Sequence, residues 1–265
     1  MYQEKEKLNN LHQLTFTAIN QIPIIKSGDD LAQIIYTKCQ DQHIHVEDGD
    51  LFVLAQKIVS KAEGRLVDLR SVTPGRKAKI IAKKTLKDPR LIELILKESK
   101  RILRIRKGLI IVEHKNGFVC ANAGIDHSNS IDGLDAEHYV LLLPENPDFS
   151  AKLIREKLEQ LFHIKTGVLI IDSHGRAWRN GTVGTAIGIS GLPGLVDLRG
   201  QSDLFGYKLK ATLIGAADEL AAGASLLMGQ ANESLPCILV RGFPYPLRES
   251  SLSELIRKKE LDLFR

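Results

Sequence analysis

The segment GLIIVEHKNGFVCANAG, residues 108–124, decides between two fold classes. Two apolar arms flank Asn116-Gly117, a dipeptide typical of two-residue hairpin turns. A hairpin pairs neighbouring strands antiparallel, whereas the strands and helices around this segment alternate as they do in parallel sheets. The sequence therefore predicts a mixed α/β or α+β fold, with partly antiparallel sheets and packed helices, rather than a purely doubly wound sheet.

Three other apolar runs predict strands: LFVLA at 51–55, GVLIID at 167–172 and SLPCILVRG at 234–242. The run ATLIGAADELAAGASLLMG, residues 211–229, is rich in small residues and predicts a deeply buried helix that ends at Gly229. No internal repeat, low-complexity segment or linker is recognisable. A single domain is therefore predicted over residues 1–265, with about residues 1–14 as an N-terminal extension.

Helix starts are indicated by capping residues. Asp29 or Asp30 predicts one start, and the dipeptides Thr73-Pro74 and Asp88-Pro89 each place a capping side chain before a proline. Ser150 is predicted to cap the helix AKLIREKLEQLF, residues 151–162. Ser251 and Glu254 form the pattern of a capping box, which predicts a C-terminal helix.

The composition is that of an ordinary soluble globular protein, with 43% hydrophobic and 26% charged residues among 265. The polar N-terminal segment contains no apolar core of a secretory signal, and no apolar run approaches the ~20 residues that span a bilayer. A cytoplasmic protein without a membrane segment is predicted.

The three cysteines, Cys39, Cys120 and Cys237, are far apart and form no C-x-x-C pair, so neither a disulfide framework nor a zinc site is expected. Cys120 and Cys237 lie in apolar runs and are predicted to be buried and inert.

Much of the net charge of +5 comes from KESKRILRIRK, residues 97–107, where basic residues alternate with Ile and Leu. Such a run is compatible with a nucleic-acid-binding patch or with an amphipathic element whose basic face is solvated, and the second interpretation is favoured. Aromatic residues make up only 5% of the chain, so stacking surfaces for single-stranded nucleic acid are scarce. A basic balance also suits an enzyme with anionic ligands.

Two aspartates follow apolar strand runs in similar settings: Asp172 ends GVLIID, and Asp126 follows the hairpin in NAGIDHSN. Carboxylates with a hydroxyl or amide nearby, here Ser173 and Asn129, are the ligands that Mg²⁺ takes beside a phosphate. The alternative is that each aspartate only caps a turn.

Lys57 and Lys61, in AQKIVSKAEGR, follow a buried strand and could reach phosphate oxygens, or could be solvated loop charges.

The stretch IIDSHGRAWRNGTVGTAIGISG, residues 170–191, contains glycines at 181, 184, 188 and 191. Their spacing matches neither a Walker loop nor a dinucleotide-binding fingerprint. His127 and His174 do not form a helical metal-binding pair, and no nucleophile elbow is present. Arg176, Trp178 and Arg179 are candidates for contacting an anionic or aromatic substrate.

Seven blocks in one order carry a family resemblance: IPIIKSGDDLA, GDLFVLAQKIVSKAEGR, NAGIDHSN, IIDSHGRAWRNGTVGTAIGISG, DLFGYKL, ADELAAGASLLMGQ and VRG. From about residue 22 to about residue 242 the chain resembles the coenzyme F420-0:L-glutamate ligases, the gamma-glutamyl ligases that elongate a deazaflavin coenzyme. The resemblance implies a GTP-dependent amide ligase that phosphorylates the carboxylate of coenzyme F420-0 and lets the amine of L-glutamate attack the acyl phosphate. It also implies Mg²⁺ or Mn²⁺, sometimes K⁺, and an intertwined homodimer of mixed α/β fold.

The resemblance also assigns site residues. Nucleotide contacts are implied at Ile22, Pro23, Ile24, Ile25, Gln56, Lys57, Lys61, Asn129, Met228, Gly229, Gln230, Ala231, Asn232, Glu233, Ser234 and Leu235. Metal ligands are implied at Asp126 and Asp172 for one ion, and at Ser173 and Gln230 for a second ion.

Four of these positions depart from an archaeal-type member, which would have Ser and Thr at 56 and 57, Thr at 173 and Glu at 230. Ser173 keeps the hydroxyl, but the neutral Gln230 is expected to hold a second metal more weakly than a carboxylate would. Lys57 adds a charge near the nucleotide. Two rival functions are a nucleotide-dependent ligase of the same fold with a different acid, and a nucleic-acid-associated basic protein.

Overall fold

The computed structural model describes residues 12–127 and 136–263, and its largest element is a five-stranded sheet in the order β1-β12-β2-β8-β9. Its strands are β1 (Thr15–Ala18), β2 (Leu51–Ala55), β8 (Gly167–Gly175), β9 (Thr182–Ser190) and β12 (Cys237–Arg241). β2 and β8 are parallel, and the other neighbours are antiparallel. The fold is therefore the mixed α+β class predicted, with mostly antiparallel sheets.

The other elements surround this sheet. The helices are α1 (Leu31–Asp41), α2 (Gln56–Ala62), α3 (Arg76–Thr85), α4 (Pro89–Lys97), α5 (Pro147–Phe162) and α6 (Ala216–Met228). The remaining strands are β3 (Leu66–Asp68), β4 (Ser99–Arg106), β5 (Leu109–His114), β6 (Val119–Ala121), β7 (Tyr139–Leu141), β10 (Val196–Asp197) and β11 (Leu213–Ile214). Among the described helices, none is both long and apolar enough to cross a bilayer.

Both faces of the five-stranded sheet are buried, which explains why its central strands read as unbroken apolar runs. Phe52 and Leu54 of β2 point into the cluster under α1 and α5, where Leu158 is fully buried. Leu51 and Val53 of the same strand point into the opposite cluster, beneath α6. The sheet is thus a middle layer between helices.

A third apolar cluster lies apart from this sheet, where α3 and α4 pack on the three-stranded sheet β4-β5-β6. Residues 99–106 of the basic run form β4, an edge strand of that sheet, and Arg101 donates a hydrogen bond to Glu113 of β5 at 2.7 Å. Exposed basic side chains on an edge strand protect it from pairing with another chain. The position of β4 at the edge of its sheet is consistent with a solvated basic face, the interpretation favoured from the sequence.

The hairpin predicted at 108–124 is present as β5 and β6, but its turn differs from the predicted two-residue turn. The His114 N–H donates to the Phe118 carbonyl at 2.8 Å, so three residues, 115–117, lie between the paired positions. Gly117 has φ 102°, the backbone conformation that a three-residue hairpin loop with a bulge requires at its last position.

The helix starts are partly as predicted. Asp30 accepts a hydrogen bond from the Gln33 N–H at 3.2 Å, and Asp88 accepts one from Arg90 at 2.7 Å with Pro89 in the first turn. The start predicted from Thr73-Pro74 is wrong. α3 begins at Arg76, because the Gly75 N–H is bound from outside by the Glu93 carboxylate of α4 at 2.9 Å.

Two predicted caps near the C-terminal half are also wrong. Asn146, rather than Ser150, caps α5: its side chain accepts from the Phe149 N–H at 3.2 Å, and Pro147 occupies the first turn. The segment after Ser251 forms two short 3₁₀ turns, Leu252–Glu254 and Lys259–Leu261, instead of a helix. The capping box fails because Arg248 pairs with the Glu254 carboxylate at 2.6 Å.

Replacing Asn146 by alanine is expected to lower the free energy of unfolding by about 1 kcal/mol, since the α5 N-terminus loses its side-chain acceptor. Urea unfolding followed by circular dichroism measures the change. Ser251→Ala is the control for the rejected cap and should change the free energy by less than about 0.5 kcal/mol. Equal losses in the two variants would contradict the cap assignment.

The glycines of β9 have a packing role. β9 carries an irregularity where Ile170 pairs with Gly188 and Ile171 pairs with Ala186, so one extra residue reverses the alternation of its side chains. A Cβ at Gly184 would overlap the Ala221 carbonyl of α6, and one at Gly188 would lie 2.5 Å from the Pro147 backbone of α5. The two glycines allow helices to approach β9 on opposite faces.

Candidate active site

Four separate segments meet at one end of the strands of the five-stranded sheet. β2 and β8 are parallel and pair with each other up to Ala55 and Ile171, so the residues that follow these two positions lie at the same end of the sheet, although β8 continues along β9 to Gly175. β12 runs antiparallel to β2, so the loop that leads into β12 lies at this end, and β1 ends there beside Ile238. The topology thus brings residues 22–25, 56–61, 172–173 and 228–235 together.

These segments enclose a cavity of about 750 Å³, a size typical of small-molecule sites. It is lined by Ile22, Pro23, Ile24, Ile25, Lys26, Ser27, Ala55, Gln56, Lys57, Ile58, Lys61, Gly64, Leu66, Ile171, Asp172, Ser173, Ser225, Met228, Gly229, Gln230, Ala231, Asn232, Glu233, Ser234, Leu235 and Pro236. The lining includes all the predicted nucleotide and metal residues except Asp126 and Asn129. Asn129 lies outside the described residues.

The positive charge of the cavity comes largely from α2. Lys57 and Lys61 are four residues apart on this helix, so both side chains lie on the same face. The Lys57 ammonium lies 2.7 Å from the Asp126 carboxylate, which joins Asp126 to the cavity wall. The exposed Lys26 adds a further cation on the wall contributed by the segment after β1.

Asp172 and its neighbours form a second group of polar side chains along the cavity. The His174 Nε2 lies 3.1 Å from Asp172 Oδ2, and both residues lie two apart on β8 and so on one face of the strand. The Ser173 hydroxyl donates to the Gln230 amide oxygen at 2.8 Å. The Gln230 amide nitrogen lies 3.3 Å from the Ser225 hydroxyl, which leaves the amide oxygen directed at Ser173.

The donor set fits a hard divalent cation. Asp126, Asp172, Ser173 and Gln230 offer only oxygen atoms, and Mg²⁺ typically takes one or two carboxylates while water and phosphate oxygens complete its shell. Within the described ranges, no group of three or more His, Cys, Asp or Glu side chains could hold a metal by itself. Water or a phosphorylated ligand would have to supply the remaining coordination of a cation here.

The loop after α6 is shaped around Glu233. Its carboxylate accepts a hydrogen bond from the Ala231 N–H at 2.8 Å, and the backbone N–H groups of Ala231, Glu233 and Gln230 lower its pKa. Gly229 has φ 72°, and a Cβ there would overlap the Glu233 carboxyl group. Glycine at 229 thus serves both as the end of α6 and as the space for this carboxylate.

Several features of the site were not predicted from the sequence. The His174 contact with Asp172 could have been expected from their spacing of two along a strand, whereas the Lys57 contact with Asp126 has no local sequence signal. Arg176, Trp178 and Arg179 lie at the end of β8 and in the connection to β9, and Trp178 is 90% exposed. A substrate role for these three residues remains a prediction.

The three cysteines are buried rather than exposed for chemistry. Cys39, Cys120 and Cys237 are buried and free, as expected for Cys120 and Cys237, and burial raises the pKa of Cys39 and of Cys120 to about 12. At pH 8 we therefore expect no reaction of the folded protein with a thiol reagent such as dithionitrobenzoate, and reaction of all three thiols in denaturant. Rapid labelling of any cysteine in the folded protein would contradict this.

Comparison with known proteins connects this cavity to a family. A sequence model described as F420-0:Gamma-glutamyl ligase matches residues 20–242, a range that contains every residue of the cavity lining. The chain belongs to the F420-0:gamma-glutamyl ligase family.

Full-length relatives agree with this assignment. The coenzyme F420:L-glutamate ligase of Methanocaldococcus jannaschii is 44% identical over 245 residues, which cover 92% of this chain and 94% of the relative. The enzyme of the same name from Methanothermobacter thermautotrophicus is 42% identical over 254 residues, covering 95% and 99%. That of Archaeoglobus fulgidus is 39% identical over 247 residues, covering 93% and 94%. The family is one of ligases that form carbon–nitrogen bonds, and family membership confirms the predicted resemblance.

Proposed function

We propose that this chain is a GTP-dependent amide ligase that adds L-glutamate to coenzyme F420-0 through an acyl-phosphate intermediate. The observation that carries the proposal is the convergence of Lys57, Lys61, Asp172, Ser173 and Gln230 on one cavity of nucleotide size in a member of this ligase family. The names of the relatives support the substrate pair.

Different segments of the cavity wall contact different parts of GTP. Residues 22–25 and 228–235 enclose the nucleotide from two sides, and Lys61 provides a positive charge for the phosphate oxygens. Asp126 and Asp172 would hold one Mg²⁺ or Mn²⁺ ion, and Ser173 and Gln230 would hold a second. The charge of these ions would neutralise phosphate charge during phosphoryl transfer.

The reaction needs no nucleophile from the chain. A carboxylate oxygen of coenzyme F420-0 attacks the γ-phosphorus of GTP, the bond to the β–γ bridging oxygen breaks, and GDP leaves. The glutamate amine, after losing a proton, attacks the acyl carbon, and inorganic phosphate leaves with the electron pair of the C–O bond. The chain contributes position and charge, which are the main catalytic terms in phosphoryl transfer.

The proposal extends to the assembly and conditions that the resemblance implies. The enzyme acts in the cytoplasm as an intertwined homodimer, and a monovalent cation such as K⁺ supports activity. Further rounds lengthen the product through gamma links.

A different acid is the alternative within the same fold, and labelled oxygen distinguishes it. We expect coenzyme F420-0 labelled with ¹⁸O in its carboxylate to transfer one label to phosphate, with one GDP formed per glutamate added. GDP formed with another acid but not with coenzyme F420-0 would favour the alternative. Phosphate without label, despite amide formation, would contradict the acyl phosphate.

A nucleic-acid role makes a different prediction. DNA binding that weakens steeply with salt and is unaffected by Asp172→Asn would support it, because phosphate contacts by β4 would not involve the cavity. The edge-strand position of β4 explains its charges without such a partner.

A further inference from the structure

The ion pair between Lys57 and Asp126 places a positively charged side chain beside a carboxylate that the proposed function assigns to a metal. The two charged groups are 2.7 Å apart, and their side chains are about equally accessible, at 28% for Lys57 and 34% for Asp126. A divalent cation bound to the same carboxylate oxygen would be close to the ammonium. Two cations at that separation repel each other, so they compete for Asp126.

The two partners differ in how firmly the backbone holds them. Asp126 is fixed by a two-way bridge with Leu141: its N–H donates to the Leu141 carbonyl at 3.1 Å, and its carbonyl accepts from the Leu141 N–H at 2.8 Å. Lys57 is the second residue of α2, and its ammonium is carried on a flexible four-carbon chain. Of the two groups, the ammonium can move most easily.

The position of Lys57 allows its ammonium to move from Asp126 to another anion in the cavity. It lines the cavity together with Lys61, on the helix face that borders the proposed phosphate position. An ammonium released from Asp126 would remain in the cavity, where the nearest anion supplied by a bound nucleotide would be a phosphate oxygen.

We propose that Lys57 is an exchangeable internal cation: it holds Asp126 until a divalent metal displaces it, and the released ammonium then contacts the phosphates of the nucleotide. This rests on the proposed function and adds a regulatory step to it. Lys57 weakens metal binding in the absence of nucleotide, and it strengthens nucleotide binding once the metal is bound. Metal and nucleotide therefore bind cooperatively.

The proposal predicts effects of opposite sign from one substitution. Lys57→Met should tighten Mn²⁺ binding without nucleotide by about tenfold, because a positive charge beside the site is removed. It should weaken GDP binding measured at saturating Mg²⁺ by a similar factor of about ten, because a phosphate contact is lost, and should change GDP binding in EDTA much less, because Lys57 is then paired with Asp126. Electron paramagnetic resonance of free Mn²⁺ and titration calorimetry with GDP give the two dissociation constants.

Matched variants separate charge from structure. Lys57→Arg keeps the charge and should leave Mn²⁺ affinity within about twofold of the wild type. Lys26→Met removes an exposed cation that the segment after β1 contributes to the cavity lining, and it should tighten Mn²⁺ binding much less than Lys57→Met does, because no ion pair joins Lys26 to a proposed metal ligand in the described residues. Thermal unfolding checks that each variant is folded, and Lys57→Gln replaces Lys57→Met if the latter is not.

The outcomes distinguish this proposal from the function on which it rests. If the wild type binds Mn²⁺ and Lys57→Met binds it no more tightly, the role of Lys57 is overturned and the ligase proposal stands. If Mn²⁺ affinity rises and GDP affinity is unchanged, the exchange onto phosphate is overturned. If neither protein binds Mn²⁺, the metal assignment of the proposed function fails, and the role of Lys57 fails with it.

Discussion

Asp172→Asn is expected to lower kcat/KM for glutamate addition by roughly 10³-fold, the largest effect on activity that we expect from any substitution. The change removes the negative charge that Asp172 offers to a divalent cation from the end of the apolar strand segment 167–171, while its amide keeps the size and one acceptor oxygen of the carboxylate. Steady-state kinetics with GTP and a divalent metal, together with Mn²⁺ binding, measure the loss. Asp126→Ala is expected to act in the same direction.

The control for this prediction is Asp41→Asn, an exposed aspartate at the end of α1 that pairs with Lys38. It changes the net charge by the same amount and should leave activity and metal affinity unchanged. The free energy of unfolding of Asp172→Asn should be close to that of the wild type. Undiminished, metal-dependent turnover in both Asp172→Asn and Asp126→Ala would contradict the metal assignment.

The largest expected effect on stability is that of Gly184→Ala, which should lower the free energy of unfolding by about 3 kcal/mol. A Cβ at this position would overlap the backbone carbonyl of Ala221 and lie 2.5 Å from the Ser225 Cβ. The obstruction is the α6 backbone, which cannot rotate away as a flexible side chain could. Helix α6 would have to move outward from β9.

Because α6 ends at Met228, this movement would also displace the loop that closes the cavity. We therefore expect weaker nucleotide binding as well as lower stability, measured by calorimetry and by urea unfolding. Gly175→Ala is the matched control: the position lies on the neighbouring strand β8, and an added Cβ would meet nothing within 4 Å. Similar stability losses in the two variants would contradict the packing role of Gly184.

The fold could be predicted from the sequence where the signals are local and physical. Asn116-Gly117 between apolar arms predicted the hairpin, and the unbroken run LFVLA predicted a strand buried on both faces. The capping errors arose where another side chain takes the group concerned. Glu93, 18 residues from Gly75, binds the N–H before α3, and no local sequence pattern indicates this partner. Arg248 binds the carboxylate that the C-terminal capping box would have used, and Asn146 caps α5 ahead of Ser150; both residues lie close in sequence to the predicted caps.

The candidate site likewise combines residues that local sequence patterns predicted with contacts that they did not. Asp172 was predicted as a metal ligand because an acid follows an apolar strand, and Lys61 as a phosphate contact because it follows another. That both border one cavity follows from the parallel pairing of β2 with β8, a long-range feature that local patterns do not contain. The Lys57 ion pair with Asp126 depends on the three-dimensional approach of two distant segments, so no sequence pattern predicted it.

The most direct measurement of the central claim is the mass of coenzyme F420-0 after incubation with this protein, GTP, Mg²⁺ and L-glutamate. We predict products heavier by one or more glutamyl residues, formed with one GDP for each glutamate added, and at most a trace of product with Asp172→Asn in the same time. The enzyme from Methanocaldococcus jannaschii, 44% identical, is the positive control. Unchanged coenzyme F420-0 under conditions in which that enzyme converts it would contradict the proposed function.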